Sequence, residues 1–151
     1  MIEFETGNIL DEKYPIFCHQ VNCKGKMGAG LARQIREKYP EVYKDYKEYC
    51  EQGLAKLGDI LPIPTNDGRI CINMFAQYGY GRDSLKTDYN AFSKCLMDLR
   101  RRCNNARADV TIAFPYRIGC GLAGGDWDII LPLLEQFEEN VIQKIIIVSK
   151  E

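Results

Sequence analysis

Gly28-Ala29-Gly30-Leu31-Ala32, which carries the chain from a strand into a helix, decides the fold together with its counterpart Gly119-Cys120-Gly121-Leu122-Ala123-Gly124-Gly125. Each run puts small residues where a strand feeds a helix. Main-chain N–H groups and the positive helix end can then face an anion with no side chain in the way. Two such loops in one chain suit a ligand with two or more negative charges. Neither is a single-phosphate fingerprint of another fold: there is no GxxxxGK(S/T), and the spacing departs from GxGxxG.

Working outward, residues 2–5 alternate as a short strand closed by Gly7-Asn8, and residues 16–21 read as a second strand. After the 22–27 loop, Leu31, Ala32, Ile35 and Tyr39 follow a helical repeat that Pro40 stops or redirects. Residues 41–51 form a charged helix whose Tyr43, Tyr46, Tyr49 and Cys50 share one stripe, read as a packing face. Residues 59–64 and 69–75 are strands joined through Asp67-Gly68, a strong hairpin signal. The aromatic, glycine-bearing segment 78–87 is long enough to suggest function.

Asp88 is placed to cap a helix with Tyr89, Phe92, Leu96 and Leu99 inward, and Arg100-Arg101-Arg102 suits its C-terminal end. Residues 110–114 are a buried strand, Asp126 or Asp128 starts a helix containing Pro132, and residues 144–148 are a last buried strand. The sum is an α/β chain: one three-layer α/β/α domain over residues 1–151. Its sheet has about six strands and is mixed because of the hairpin.

Twenty Lys and Arg against 21 Asp and Glu give a net charge of −1, which offers no general attraction to nucleic acid or to an anionic membrane. The 46% apolar content excludes wholesale disorder, and the apolar runs are too interrupted to span a bilayer. The first residues carry no signal-peptide pattern, and seven scattered cysteines without a CxxC fit free thiols in a reducing cytoplasm. Cys18, His19 and Cys23 lack the spacing of a zinc site, so neither metal nor cofactor is expected.

The motif string resembles a macrodomain over essentially the full length. It comprises Gly7-Asn8-Ile9, Val21-Asn22, Met27-Gly28-Ala29-Gly30-Leu31-Ala32, Gly119-Cys120-Gly121-Leu122 and Asp126-Trp127. It is similar to the branch holding ADP-ribose 1″-phosphate phosphatases and terminal ADP-ribose protein glycohydrolases. The resemblance implies an ADP-ribose site, with free ADP-ribose or an ADP-ribosylated macromolecule as partner. The diphosphate would lie between Gly28, Ala29, Gly30 and Leu31 on one side and Gly119, Cys120, Gly121 and Leu122 on the other. Ile9, Met27, Gln77 and Tyr78 join these as expected ligand contacts. The family's acidic adenine contact is replaced by Asn8, which accepts only through its carbonyl oxygen. Asn22 matches the asparagine that contacts the distal ribose.

Three residues are candidates for chemistry: His19, Asn22 and Asp126. His19, the only histidine, stands where some phosphatase-like members carry an acid/base histidine, although strand alternation could bury it instead. The glycohydrolase branch uses a lysine nucleophile and an acid after its GCGL motif; here those positions hold Gln77 and Ala123, which can do neither job, so that mechanism would need Lys86 or Asp126 to reach in from neighbouring parts of the loops. Asp126 is the remaining carboxylate, with helix capping as its competing role. Tyr78 and Tyr80 are placed to cover the distal ribose, and Lys24, Arg82 and Lys86 to meet a terminal phosphate. The expected activity is hydrolysis of an ADP-ribose derivative, against two alternatives: a non-catalytic reader, and a hydrolase pairing Cys120 with His19.

Overall fold

The computed structural model describes residues 1–80 and 85–150, so Gly81 and Arg82 lie outside the described residues. Its elements are β1 (Glu3–Thr6), β2 (Ile16–Asn22), α1 (Gly30–Lys38), α2 (Pro40–Glu51), β3 (Ile60–Pro64), β4 (Ile70–Gln77), α3 (Tyr89–Cys103), β5 (Thr111–Pro115), α4 (Trp127–Glu139) and β6 (Lys144–Ser149). The six strands lie in the order β1-β6-β5-β2-β4-β3. All pairs are parallel except β3 with β4, which the Asp67-Gly68 turn makes antiparallel. This is the mixed α/β/α architecture that the patterning predicts.

Strand alternation divides the core in two. Cys18, Ile72, Met74, Ile112, Phe114, Ile145 and Ile147 pack against α3 and α4. Phe17, Val21, Cys71, Phe75, Ala113, Ile146 and Val148 pack against α1 and α2. Successive residues pointing to opposite faces explain why these strands read as continuous apolar runs. Pro40 is accepted at the start of α2, where its missing N–H costs nothing. Pro132 falls inside α4, held there by buried Ile130, Leu134 and Phe137. No helix among the described residues is long and apolar enough to cross a membrane.

One feature of the sheet positions the site. β2 and β5 pair only at Ile16 with Ile112 and Phe17 with Ala113, and then part. The chain leaves β2 for α1 and α2 on one face, whereas it leaves β5 for α4 on the other. The carboxyl ends of these neighbouring strands therefore open a crevice at a topological switch point, where open α/β sheets place their ligands.

Candidate functional site

That crevice is a cavity of about 660 Å³ walled by the end of β2, Lys26, the start of α1, Gln77, Tyr80 and residues 115–119 and 121–123. A second cavity of about 390 Å³, beside Asn8 and Ile9, shares Leu31, Pro115 and Tyr116 with it, and the two form one bent groove. Among the described residues, the larger arm counts Lys26 and Arg117 in its walls and no carboxylate. In a chain of net charge −1, this concentrates positive potential where the main chain adds more.

α1 begins at Ala29 with no side-chain cap, and its first internal bond is made by the Arg33 N–H to the Ala29 carbonyl. Among the described residues the N–H groups of Gly30, Leu31 and Ala32 are left without a partner and are open to a ligand. Across the groove the 119–125 loop folds on itself: Cys120 N–H to Arg117 O, Gly124 N–H to Gly121 O, Gly125 N–H to Gly119 O. Among the described residues this leaves the N–H groups of Gly121, Leu122 and Ala123 unused as a second cradle. Arg117 holds a left-handed backbone at φ 61°, strain of the kind that clusters at binding sites. Two open helix ends were expected; only α1 supplies one, because the Asp126 side chain caps α4.

The glycines sort by cause. Gly119 has φ +76°, and an added Cβ would lie 2.6 Å from Gln20 Oε1, so the loop itself requires glycine there. Gly28 and Gly121 have no left-handed backbone, and an added Cβ at either would meet nothing within 4 Å. Neither conformation nor packing demands glycine at these two positions. What a side chain would occupy is the groove.

His19 is a wall of the groove and is 2% exposed. It faces the α1/α2 side, with Nε2 2.6 Å from Asn73 Oδ1 on the neighbouring strand. Asn73 donates its amide to Leu61 O, which fixes its oxygen toward the ring; Nε2 therefore carries the proton and Nδ1 is the acceptor. Burial pulls the His19 pKa down to about 4, with the Asn73 bond opposing. The ring is neutral at pH 7 and has no proton to spare as a general acid. Between pH 6.5 and 4 the unfolded chain binds a proton at His19 that the folded chain refuses, so stability falls as the pH drops through that window. Urea unfolding is expected to show roughly 2 kcal/mol lost between pH 7 and pH 5 from this group, and His19→Gln to remove that component.

Asn22 lies beside it, 6% exposed, with its side chain committed to its own loop. Oδ1 accepts from Lys24 N–H, Lys26 N–H and Tyr46 OH, and Nδ2 donates to Lys26 O. One amide hydrogen remains for a ligand, so Asn22 shapes the cradle more than it contacts its contents. The tyrosine stripe of α2, expected only to pack, thus reaches the site through Tyr46. Gln20 does comparable work on the other side: Nε2 donates to Gln77 Oε1 and to Thr87 Oγ1, and the Thr87 hydroxyl donates to Gly119 O. Gln77 is held in turn by Gly79 O.

Four expected site residues take other places. Met27 is buried at 1% exposure and packs in the core beneath the loop. Tyr78 turns outward, its ring 4.2 Å from Lys24 Nζ, and it is Tyr80 that lines the groove. Cys120 points into the α3/α4 core, its Sγ on Ile118 O and its pKa raised by burial; no hydrogen bond links it to His19, so an activated Cys–His pair does not form. Asp126 caps α4 through Asp128 N–H, the competing role expected for it, and is not a wall of the groove. Asn8 and Ile9 line the smaller arm. Among the described residues no three His, Cys, Asp or Glu gather as a metal site. Lys26, Tyr116 and Arg117 are walls that sequence reasoning missed, although Tyr116 and Arg117 directly follow a strand end, where a groove would be sought.

A family model for the Macro domain matches residues 18–134. The chain is 30% identical over 130 residues to a DNA ADP-ribosyl glycohydrolase of Mycobacterium tuberculosis, covering 85% of this chain and 36% of that protein. It is 31% identical over 112 residues to an ADP-ribose 1″-phosphate phosphatase of Saccharomyces cerevisiae, covering 70% of this chain and 63% of the other. The solved macrodomain of Mycobacterium tuberculosis DarG superposes with a TM-score of 0.82 at 26% identity, covering 98% and 97% of the two chains. With the switch-point groove, its two N–H cradles and these matches in agreement, the chain belongs to the macro domain family.

Proposed function

We propose that this chain binds ADP-ribose in the bent groove and hydrolyses an ADP-ribose derivative, with the 1″-phosphate monoester as the first substrate. The observation that carries the reading is the pair of facing, unpartnered N–H runs among the described residues, beside two cations and no carboxylate. A diphosphate fits between them, each charge-assisted bond contributing about 1.5–3 kcal/mol. A terminal phosphate would extend toward His19 and Gln77. There His19 Nδ1, in the neutral ring, can accept a proton from the attacking water, and a phosphate oxygen of the substrate can do the same. With so weak a base, most of the acceleration comes from positioning and from the fixed N–H dipoles. A covalent lysine mechanism is not proposed, because Gln77 and Ala123 offer neither nucleophile nor acid.

Those same two residues favour a second reading, a module that binds ADP-ribose without chemistry. Calorimetric titration with ADP-ribose, followed by phosphate release from its 1″-phosphate, separates the two. The hydrolase is expected to bind at one site and turn over, with His19→Gln binding normally and turning over at least 10-fold more slowly. Binding with no turnover in the wild type establishes the reader. No binding of ADP-ribose would overturn both.

A further inference from the structure

Where Asn8 and Ile9 line the smaller arm of the groove, their acceptors are engaged and their donors are not. Asn8 Oδ1 already takes the Leu10 N–H at 2.9 Å, and the Asn8 carbonyl takes Asp11 N–H. The Ile9 carbonyl is held by Arg69, the Val148 carbonyl by Tyr116 N–H and the Ser149 carbonyl by Gly7 N–H. Among the described residues no carboxylate stands in the walls. On the donor side, no hydrogen bond from a described residue engages the Asn8 Nδ2 or the Ile9 N–H, and the Lys150 side chain is exposed at the same wall. Asn8 is itself exposed, so its free amide is open to a ligand.

A base seated here meets hydrogen-bond donors. Adenine presents its 6-amino group, another donor, beside N7. A 6-oxopurine presents two acceptors in a row, O6 and N7, which the Asn8 amide and the Ile9 N–H can both satisfy. We propose that this arm takes a 6-oxopurine at least as well as adenine, so that the ligand class of the site extends to inosine diphosphate ribose, with Asn8 as the residue that sets this choice. The proposal rests on the reading that the groove holds a purine nucleotide diphosphoribose.

The test is calorimetric titration of the wild type and of Asn8→Asp with ADP-ribose and with inosine diphosphate ribose. The substituted carboxylate would keep the acceptor for Leu10 N–H and put a second carboxylate oxygen in place of the free amide. The wild type is expected to bind the inosine compound as tightly as ADP-ribose, or within 2-fold of it. Asn8→Asp is expected to move the ratio of the two dissociation constants at least 10-fold toward adenine. A wild-type preference for ADP-ribose beyond 2-fold would overturn the proposal while leaving the groove's function intact. An unchanged ratio in Asn8→Asp would overturn the assignment to Asn8. If the wild type binds neither compound, the nucleotide reading itself falls and this inference with it.

Discussion

Gly121→Val is expected to weaken ADP-ribose binding by at least 100-fold while leaving the melting temperature within about 2 °C of wild type. The two halves of that expectation have separate causes. Stability is spared because Gly121 has no left-handed backbone and an added Cβ meets no neighbour within 4 Å. Any side chain also reduces the freedom of the unfolded chain, which acts in the same direction. Binding is lost because the new methyl groups stand where the phosphates must approach the N–H groups of residues 121–123. Losing two charge-assisted bonds of about 1.5 kcal/mol each already amounts to roughly 100-fold.

Gly28→Val on the facing cradle is expected to behave alike. Gly119→Ala is the contrasting control: its Cβ would press on Gln20 Oε1 and its backbone sits at φ +76°, so it should cost about 1–3 kcal/mol of stability. Thermal melts beside calorimetric titration distinguish the classes. Gly121→Val melting several degrees low would mean that the glycine serves the loop and not a ligand.

What was legible beforehand follows from how far each signal reaches along the chain. The strands and helices were readable because their cause is local: alternation in β1, the apolar runs of β5 and β6, the Asp88 and Asp126 caps, the Asp67-Gly68 turn. The two glycine loops announced the groove for the same reason. Residues acting through partners far along the chain were not readable. His19 was visible as the only histidine, yet its neutral state comes from burial, and its tautomer is set by Asn73, 54 residues away, whose own amide is oriented by Leu61. Gln20 reads as a polar gap in an apolar strand, and only the fold shows it joining Gln77, Thr87 and, through Thr87, Gly119. Asn22 was expected as a ligand contact because it matches the family's ribose-contacting asparagine; the donor and acceptor that would serve there are what tie it to Lys24, Lys26 and Tyr46.

Arg69 is the strongest case of this kind, and Arg69→Met is expected to destabilise the protein by at least about 3 kcal/mol. Its position beside a hairpin turn suggests a solvated cation, yet it is 3% exposed. The guanidinium donates to Tyr14 O, Leu10 O, Ile9 O and Tyr39 OH, and lies 4.0 Å over the Phe17 ring. Among the described residues no carboxylate hydrogen-bonds it; Tyr39 OH, which accepts from it, donates to Asp67. Methionine fills much of the volume but leaves the Ile9 and Tyr14 carbonyls without that donor, while Leu10 O keeps Lys38 Nζ, and an orphaned buried polar group costs about 1–3 kcal/mol.

Arg69→Lys keeps the charge without the planar fork, so it can serve some of these acceptors and should lose about half as much. Both losses are read from urea unfolding at pH 7, where His19 is neutral in the folded chain. A loss below about 1 kcal/mol for Arg69→Met would mean that water replaces the guanidinium and that the loop has no need of it. Otherwise the consequence reaches the groove. The carbonyls of Ile9 and Leu10 point at Arg69, which sets the main chain that follows Asn8. The geometry by which Asn8 and Ile9 would read a base is therefore fixed by a buried cation from the other end of β4.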